Sequence, residues 1–157
     1  MTPSGAVIID ASLIPLAERD SVYIAFQYTS TGRGSGDGRV WDVDNIIIQD
    51  GVVLPPVATS ESFDGGSLGS WQTVNVSSSA TWASAAVDGR QAASMQNTYT
   101  FGTADDWLVS PLFSIEADGS NAEFNFVYRY EGDTAQVPAS DNFQLLVFPG
   151  CTLSGSY

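Results

Sequence analysis

The side chains available for chemistry are mostly carboxylates. The 157-residue chain carries 18 Asp and Glu against five Arg, with no Lys and no His, a net charge of −13. Without His or Lys it cannot build a Ser-His-Asp or Cys-His centre, a Schiff base, or an imidazole-ligated zinc or copper site. Two chemistries remain. A pair of carboxylates can serve as the acid and base of a glycosidase, and hard cations, Ca²⁺ above all, can be held by oxygen ligands alone. So many carboxylates suit the cation better.

The carboxylate pairs worth weighing are Asp105 with Asp106 and Asp42 with Asp44. In a strand, Asp105 and Asp106 face opposite ways, and nothing around either pair marks one member as an acid of raised pKa. No enzyme is expected. The run Gly32-Arg-Gly-Ser-Gly-Asp-Gly38 has the look of a phosphate cradle, but a strand at Val40-Trp41-Asp42 follows where a helix is needed, so it reads as a hairpin loop. Trp41, Trp71, Trp82, Trp107, Tyr128 and Tyr130 offer rings for stacking on sugars. Most sit on alternating faces that a core would claim. Trp82, in the Ser-rich stretch 76–84, is expected to be the most exposed and is the candidate carbohydrate contact.

The same charge repels phosphate backbones and anionic headgroups, so neither nucleic acid nor a membrane surface is an expected partner. No apolar run approaches the roughly 20 residues that span a bilayer, and Met1-Thr-Pro-Ser lacks the features of a signal peptide. An exported form is then a mature chain or an excerpt of a longer one. Polarity supplied by Ser, Thr, Gly and Asn, with only 15% charged residues, suggests an extracellular or cell-surface β-protein. The lone Cys151 cannot form an internal disulfide.

The elements that must position these groups are short strands. In Val22-Tyr-Ile-Ala-Phe-Gln-Tyr28, Val22, Ile24, Phe26 and Tyr28 share a face; in Phe124-Asn-Phe-Val-Tyr-Arg-Tyr130, four aromatics do. Further strands are expected at 6–10, 40–49, 71–76, 80–83, 91–95, 106–115 and 142–148, with at most one helical turn in 11–20, limited by Pro15. Nine strands without an intervening helix predict an all-β, two-sheet antiparallel sandwich of jelly-roll type. Residues 51–60, with Pro55-Pro56, read as an extended connector between a short part, 1–50, and a long part, 61–157. Fifty residues with three strands cannot form a core alone.

Several motifs resemble one family. Glu61-Ser-Phe-Asp-Gly-Gly-Ser-Leu-Gly-Ser-Trp71 looks like the opening strand of choice-of-anchor J and cleaved-adhesin domains, which are MAM-like jelly rolls. Asp105-Asp-Trp-Leu-Val-Ser-Pro111 is similar to their DDWLxSP strand, and 122–130 to the aromatic strand after it. Tyr23-Ile-Ala-Phe-Gln-Tyr28 and Trp41-Asp-Val-Asp-Asn-Ile46 resemble the closing pair. The order is inverted, with closing strands before opening ones. Three arrangements follow: a circularly permuted single domain, an excerpt spanning two tandem repeats, or closing strands that complete a neighbouring subunit and propagate a filament. The last is preferred, with Pro55-Pro56 holding the two parts apart.

The resemblance places the first and last strands side by side. It implies a calcium site shared by Asp44 and Asp64, with Asp106 on the strand beside them, and a Ca²⁺ that bridges the two parts of the chain or two subunits. The expected function is that of a non-enzymatic structural or adhesive protein, self-associating into a fibre or packed on a tandem neighbour. The alternative is an accessory carbohydrate- or surface-binding module of a secreted protease or hydrolase, with a surface polysaccharide as partner.

Overall fold

A computed structural model describes residues 4–9, 13–19, 21–30, 39–50, 58–76, 81–97, 104–113, 122–131 and 142–149. They form ten strands: β1 Ser4–Ile9, β2 Val22–Ser30, β3 Arg39–Asp50, β4 Ala58–Glu61, β5 Gln72–Asn75, β6 Ala83–Val87, β7 Arg90–Asn97, β8 Ala104–Val109, β9 Ala122–Glu131 and β10 Asn142–Pro149. One sheet runs β1-β9-β3-β7-β6, with β4 beside β3; the other runs β10-β2-β8-β5. Every named pairing is antiparallel, and the two sheets enclose one core, so the all-β sandwich expected from the alternation is what the chain forms.

The core follows from the period-two pattern. Val22, Ile24, Phe26 and Tyr28 are fully buried on one face of β2. Phe26 is the hub: its ring meets Phe126 at 5.2 Å edge-on, Phe143 at 5.5 Å stacked, Phe124 at 5.8 Å, Trp71 at 6.2 Å and Trp82 at 6.4 Å. These partners come from both sheets and from the loops that close one end. Among the described residues of 11–20, the 3₁₀ turn Leu16–Glu18 follows Pro15, and Ile14 reaches the core.

β3 carries the larger sheet. It pairs with β9 along its length, while its other edge meets β7 from Arg39 to Val43 and β4 from Ile46 to Gln49. The register against β9 slips between Asp44 and Ile47, where Asn45 adopts φ 49°. This is a bulge with its extra residue left-handed, a conformation that Asn tolerates better than most residues. Because of it Val43 and Ile46, three positions apart, both point into the core.

Three expectations are corrected. β2 and β3 belong to different sheets and so do not form the expected hairpin; residues 31–38 lie outside the described set. The connector expected over 51–60 ends in a strand, β4, and Gln49 pairs with Ala58, so the chain turns back upon β3 instead of holding two parts apart. Pro55 and Pro56, like Cys151, lie outside the described residues. Finally, the strand expected at 80–83 is β6, residues 83–87, which forms a hairpin with β7 across Asp88 and Gly89. Both turn residues have positive φ, 51° and 81°, as a tight primed turn requires.

Because Phe26 joins both sheets, Phe26→Ala is expected to lower the unfolding free energy by about 3–5 kcal/mol, measured by urea denaturation with intrinsic Trp fluorescence. Val74→Ala, at a half-buried position on the edge strand β5, should lose far less.

Candidate functional site

Strands β3, β7 and β9 bring opposite charges together on the outer face of the larger sheet. Asp42 and Asp44 alternate with Val43 and therefore point away from the core, yet both are fully buried. A buried carboxylate needs a partner, and each has an arginine. Arg129 on β9 lies directly across from Asp42 and donates from Nε to Oδ2 at 2.8 Å. Its Nη1 lies 3.6 Å from Asp88 in the β6–β7 turn. Arg90, the first residue of β7, places Nη2 3.3 Å from Asp44 Oδ2. That contact is an ion pair without hydrogen-bond geometry, since Oδ2 has no hydrogen-bond partner. Asp44 Oδ1 accepts the Asn45 N–H at 2.7 Å, which ties the carboxylate to the bulge.

The loop after β4 supplies Asp64. Glu61 Oε1 accepts the Phe63 N–H at 2.9 Å, Gly66 N–H bonds Phe63 O at 2.9 Å, and Trp71 N–H bonds Leu68 O at 3.0 Å. Phe63, buried against Trp71 and held at φ 55°, anchors the loop and leaves Asp64 exposed. Gly69 sits at φ 60°, a left-handed conformation that favours glycine, and a Cβ there would lie 2.7 Å from Glu61 Oε2, so that carboxylate would have to shift. Between this loop and the bulge is a cleft of about 430 Å³ lined by Asn45, Ile46, Ile47, Ser60, Glu61 and Ser62.

Asp64 lies near enough to Asp44 for its charge to be felt there. Burial raises the Asp44 pKa above its ordinary 3.8, and the Asp64 charge raises it further, against the Asn45 hydrogen bond and Arg90, which lower it. Asp106 does not join them. It is buried on the inner face of the other sheet, opposite Tyr28 and Asn75, and its carbonyl accepts the Trp82 indole N–H at 3.3 Å. Among the described residues no three His, Cys, Asp or Glu side chains converge as a metal cluster. The expected trio of Asp44, Asp64 and Asp106 is therefore not brought together, and Arg90 already lies against Asp44.

Trp82 is also elsewhere than expected. It is almost fully buried, against Phe26 and Phe143, and not the exposed ring that was expected. The indole hydrogen bond across to β8, which draws it inward, leaves no mark on the Ser-rich stretch around it. Asp105 and Asp106 do face opposite ways, Asp105 outward, where its Oδ1 accepts from Gln27 Nε2 at 2.8 Å and Trp107 Nε1 at 2.7 Å. Arg90 and Arg129 were the residues missed. The signal for them was the presence of Asp42 and Asp44 inside a strand, which demands cationic neighbours. Comparison of the chain with protein-family models, curated proteins and solved structures finds no match.

The raised Asp44 pKa fixes a sign. The folded protein holds this proton more tightly than the unfolded chain, so the Asp44 contribution to stability is greatest in acid and declines as pH rises above 3.8 through the folded value. Asp44→Asn removes that decline. Urea titrations at half-unit intervals from pH 3.5 to 7 should show the variant gaining on the wild type as pH rises; parallel curves would contradict the assignment.

Proposed function

We propose that this chain is a non-enzymatic structural or adhesive module of an extracellular assembly, a MAM-like jelly roll of the choice-of-anchor J and cleaved-adhesin kind with its closing strands placed first. The observation that carries this reading is the interleaving of the two segments. β2 lies between β8 and β10, and β3 lies among β4, β7 and β9, so two strands of the first segment fill the middle of sheets otherwise built by residues 58–149, while β1 adds to one edge beside β9. Neither segment has a closed sheet without the other. A fold divided in this way can be completed by its own strands or by the equivalent strands of a neighbour, and the second route joins subunits head to tail. Fibre formation by strand exchange is the function proposed.

Calcium is proposed as the fixative of the joint, held by Asp44 from the first segment and Asp64 from the second. A bound Ca²⁺ supplies two positive charges to carboxylates that otherwise repel. Asp44 provides a buried, oriented carboxylate, Asn45 N–H holds its Oδ1, and Asp64 provides an exposed one. Arg90 is the built-in competitor, since it already neutralises Asp44. The absence of His and Lys from the whole chain supports a non-enzymatic role.

Negative-stain electron microscopy of the purified chain in millimolar Ca²⁺, then in chelator, is the test. Ordered fibres that disperse on chelation are expected; uniform particles of one 16.6 kDa chain in both conditions would overturn the fibre reading. The metal assignment is tested separately by thermal melts. At a hundred times the dissociation constant Ca²⁺ should stabilise the chain by about 2.7 kcal/mol. Asp44→Ala and Asp64→Ala should each abolish that rise, and Arg90→Ala should bring it on at lower Ca²⁺ concentration. An undiminished rise in both Asp variants would exclude the site.

A further inference from the structure

The outer face of the smaller sheet carries aromatic rings where solvent-facing polar side chains are the norm. On β2, Tyr23, Ala25 and Gln27 alternate with the core residues and point outward. Register places Phe148 beside Tyr23, Val109 and Leu146 on either side of Ala25, and Trp107 and Gln144 on either side of Gln27. Tyr23, Trp107, Leu146 and Phe148 are half-buried.

The rings lean towards one another along this face, with 59° between the planes of Trp107 and Phe148 and 36° between those of Tyr23 and Phe148. Trp107 and Phe148 are two strands and four residues apart in register, roughly 16 Å between Cα atoms at ordinary strand spacing, yet their ring centroids are 6.2 Å apart. They can meet only by leaning towards one another across β2, over Ala25, whose methyl group is small enough to lie beneath them and is fully buried. Tyr23 continues the row, its ring 6.3 Å from that of Phe148. One end of the row is locked: Asp105 Oδ1 takes both the Trp107 indole N–H and the Gln27 amide, fixing ring, amide and carboxylate in one arrangement.

The geometry points to a binding site for an uncharged polysaccharide along the row Tyr23, Phe148 and Trp107, with Gln27, Asp105 and Gln144 as its polar fringe. The apolar C–H faces of pyranose rings stack on aromatic faces, while amide and carboxylate groups beside them exchange hydrogen bonds with ring hydroxyls. Held in place before the ligand arrives, these groups lose little freedom on binding. Charge selects among glycans. With a net charge of −13 and no arginine on the described strands of this sheet, the face disfavours sulfated and uronic-acid polymers and admits neutral ones. The site does not rest on the fibre reading. It is on the opposite side of the sandwich from Asp44 and requires no metal.

The full chain is incubated with insoluble cellulose, chitin, xylan and β-1,3-glucan, in 0.1 and 1 M NaCl, with and without chelator, and the bound fraction is measured; heparin-agarose is the anionic control. Retention on at least one neutral polymer is expected, indifferent to salt and chelator, with none on heparin. Trp107→Ala and Tyr23→Ala should each weaken retention at least tenfold with near wild-type melting temperatures, and Trp107→Phe should restore most of it. Should Trp107→Ala prove unstable, Tyr23→Ala decides. Retention unchanged in both Ala variants would overturn the proposal, as would the absence of retention on all four polymers. Self-association lost in Trp107→Ala, with no glycan binding, would show instead that the face joins two copies of the chain. Fibres lost on chelation while glycan retention persists would separate this site from the metal-fixed joint.

Discussion

The structure turns on one extra residue in β3. A strand of twelve residues in the middle of a sheet has one face for the core and one for the outside, and alternation assigns every position once the first is set. Val43 and Ile46 are both inward, which strict alternation forbids; the left-handed Asn45 between them takes up the difference. Before the bulge Asp42 and Asp44 point outward, and after it the strand changes partner along one edge, from β7 to β4. The candidate metal ligands meet at that change of partner, one from β3 and one from the loop that β4 feeds. Arg90 arrives there from β7.

Charge inside a sheet then organises the outer surface. Asp42 and Asp44 are shut off from water, so their ionised forms depend on guanidinium groups delivered by neighbouring strands. Arg129 reaches from β9 over β3 to Asp42 and on towards Asp88, spanning three strands and pinning the β6–β7 turn. Arg90 contacts Asp44 less closely, with an exposed side chain and no hydrogen bond to Oδ2. Of the two arginines, Arg90 is the more exposed and the less closely held.

Much of the fold is legible in the chain because strand alternation is a local property. β2, β9 and β10 announce themselves by one apolar or aromatic face, and Asp105 and Asp106 by adjacency alone. β4 is not legible: Ala-Thr-Ser-Glu has no alternation, and it is a strand only because β3 offers it an edge. The inward turn of Trp82 and the separation of Asp106 from Asp44 depend on which sheet each strand joins, which no local pattern states. The arginine beside Asp44 comes from the neighbouring strand β7, which the local sequence around Asp44 does not state. The Asp88-Gly89 dipeptide, by contrast, was a readable hairpin signal between two runs of Ala.

The pairing of β1 has a consequence in time. Its neighbour is β9, with Ile9 opposite Ala122, so more than a hundred residues separate the two in the chain. β2 similarly needs β8 and β10. During synthesis β1, β2 and β3 leave the ribosome before β8, β9 and β10, so these pairings and the cover of the apolar face of β2 wait for the later strands. Sheets built from such distant pairings form slowly, and their intermediates expose edges that other chains can occupy. Local crowding of nascent copies and the presence of chaperones thus bear on whether a chain closes on itself or on its neighbour.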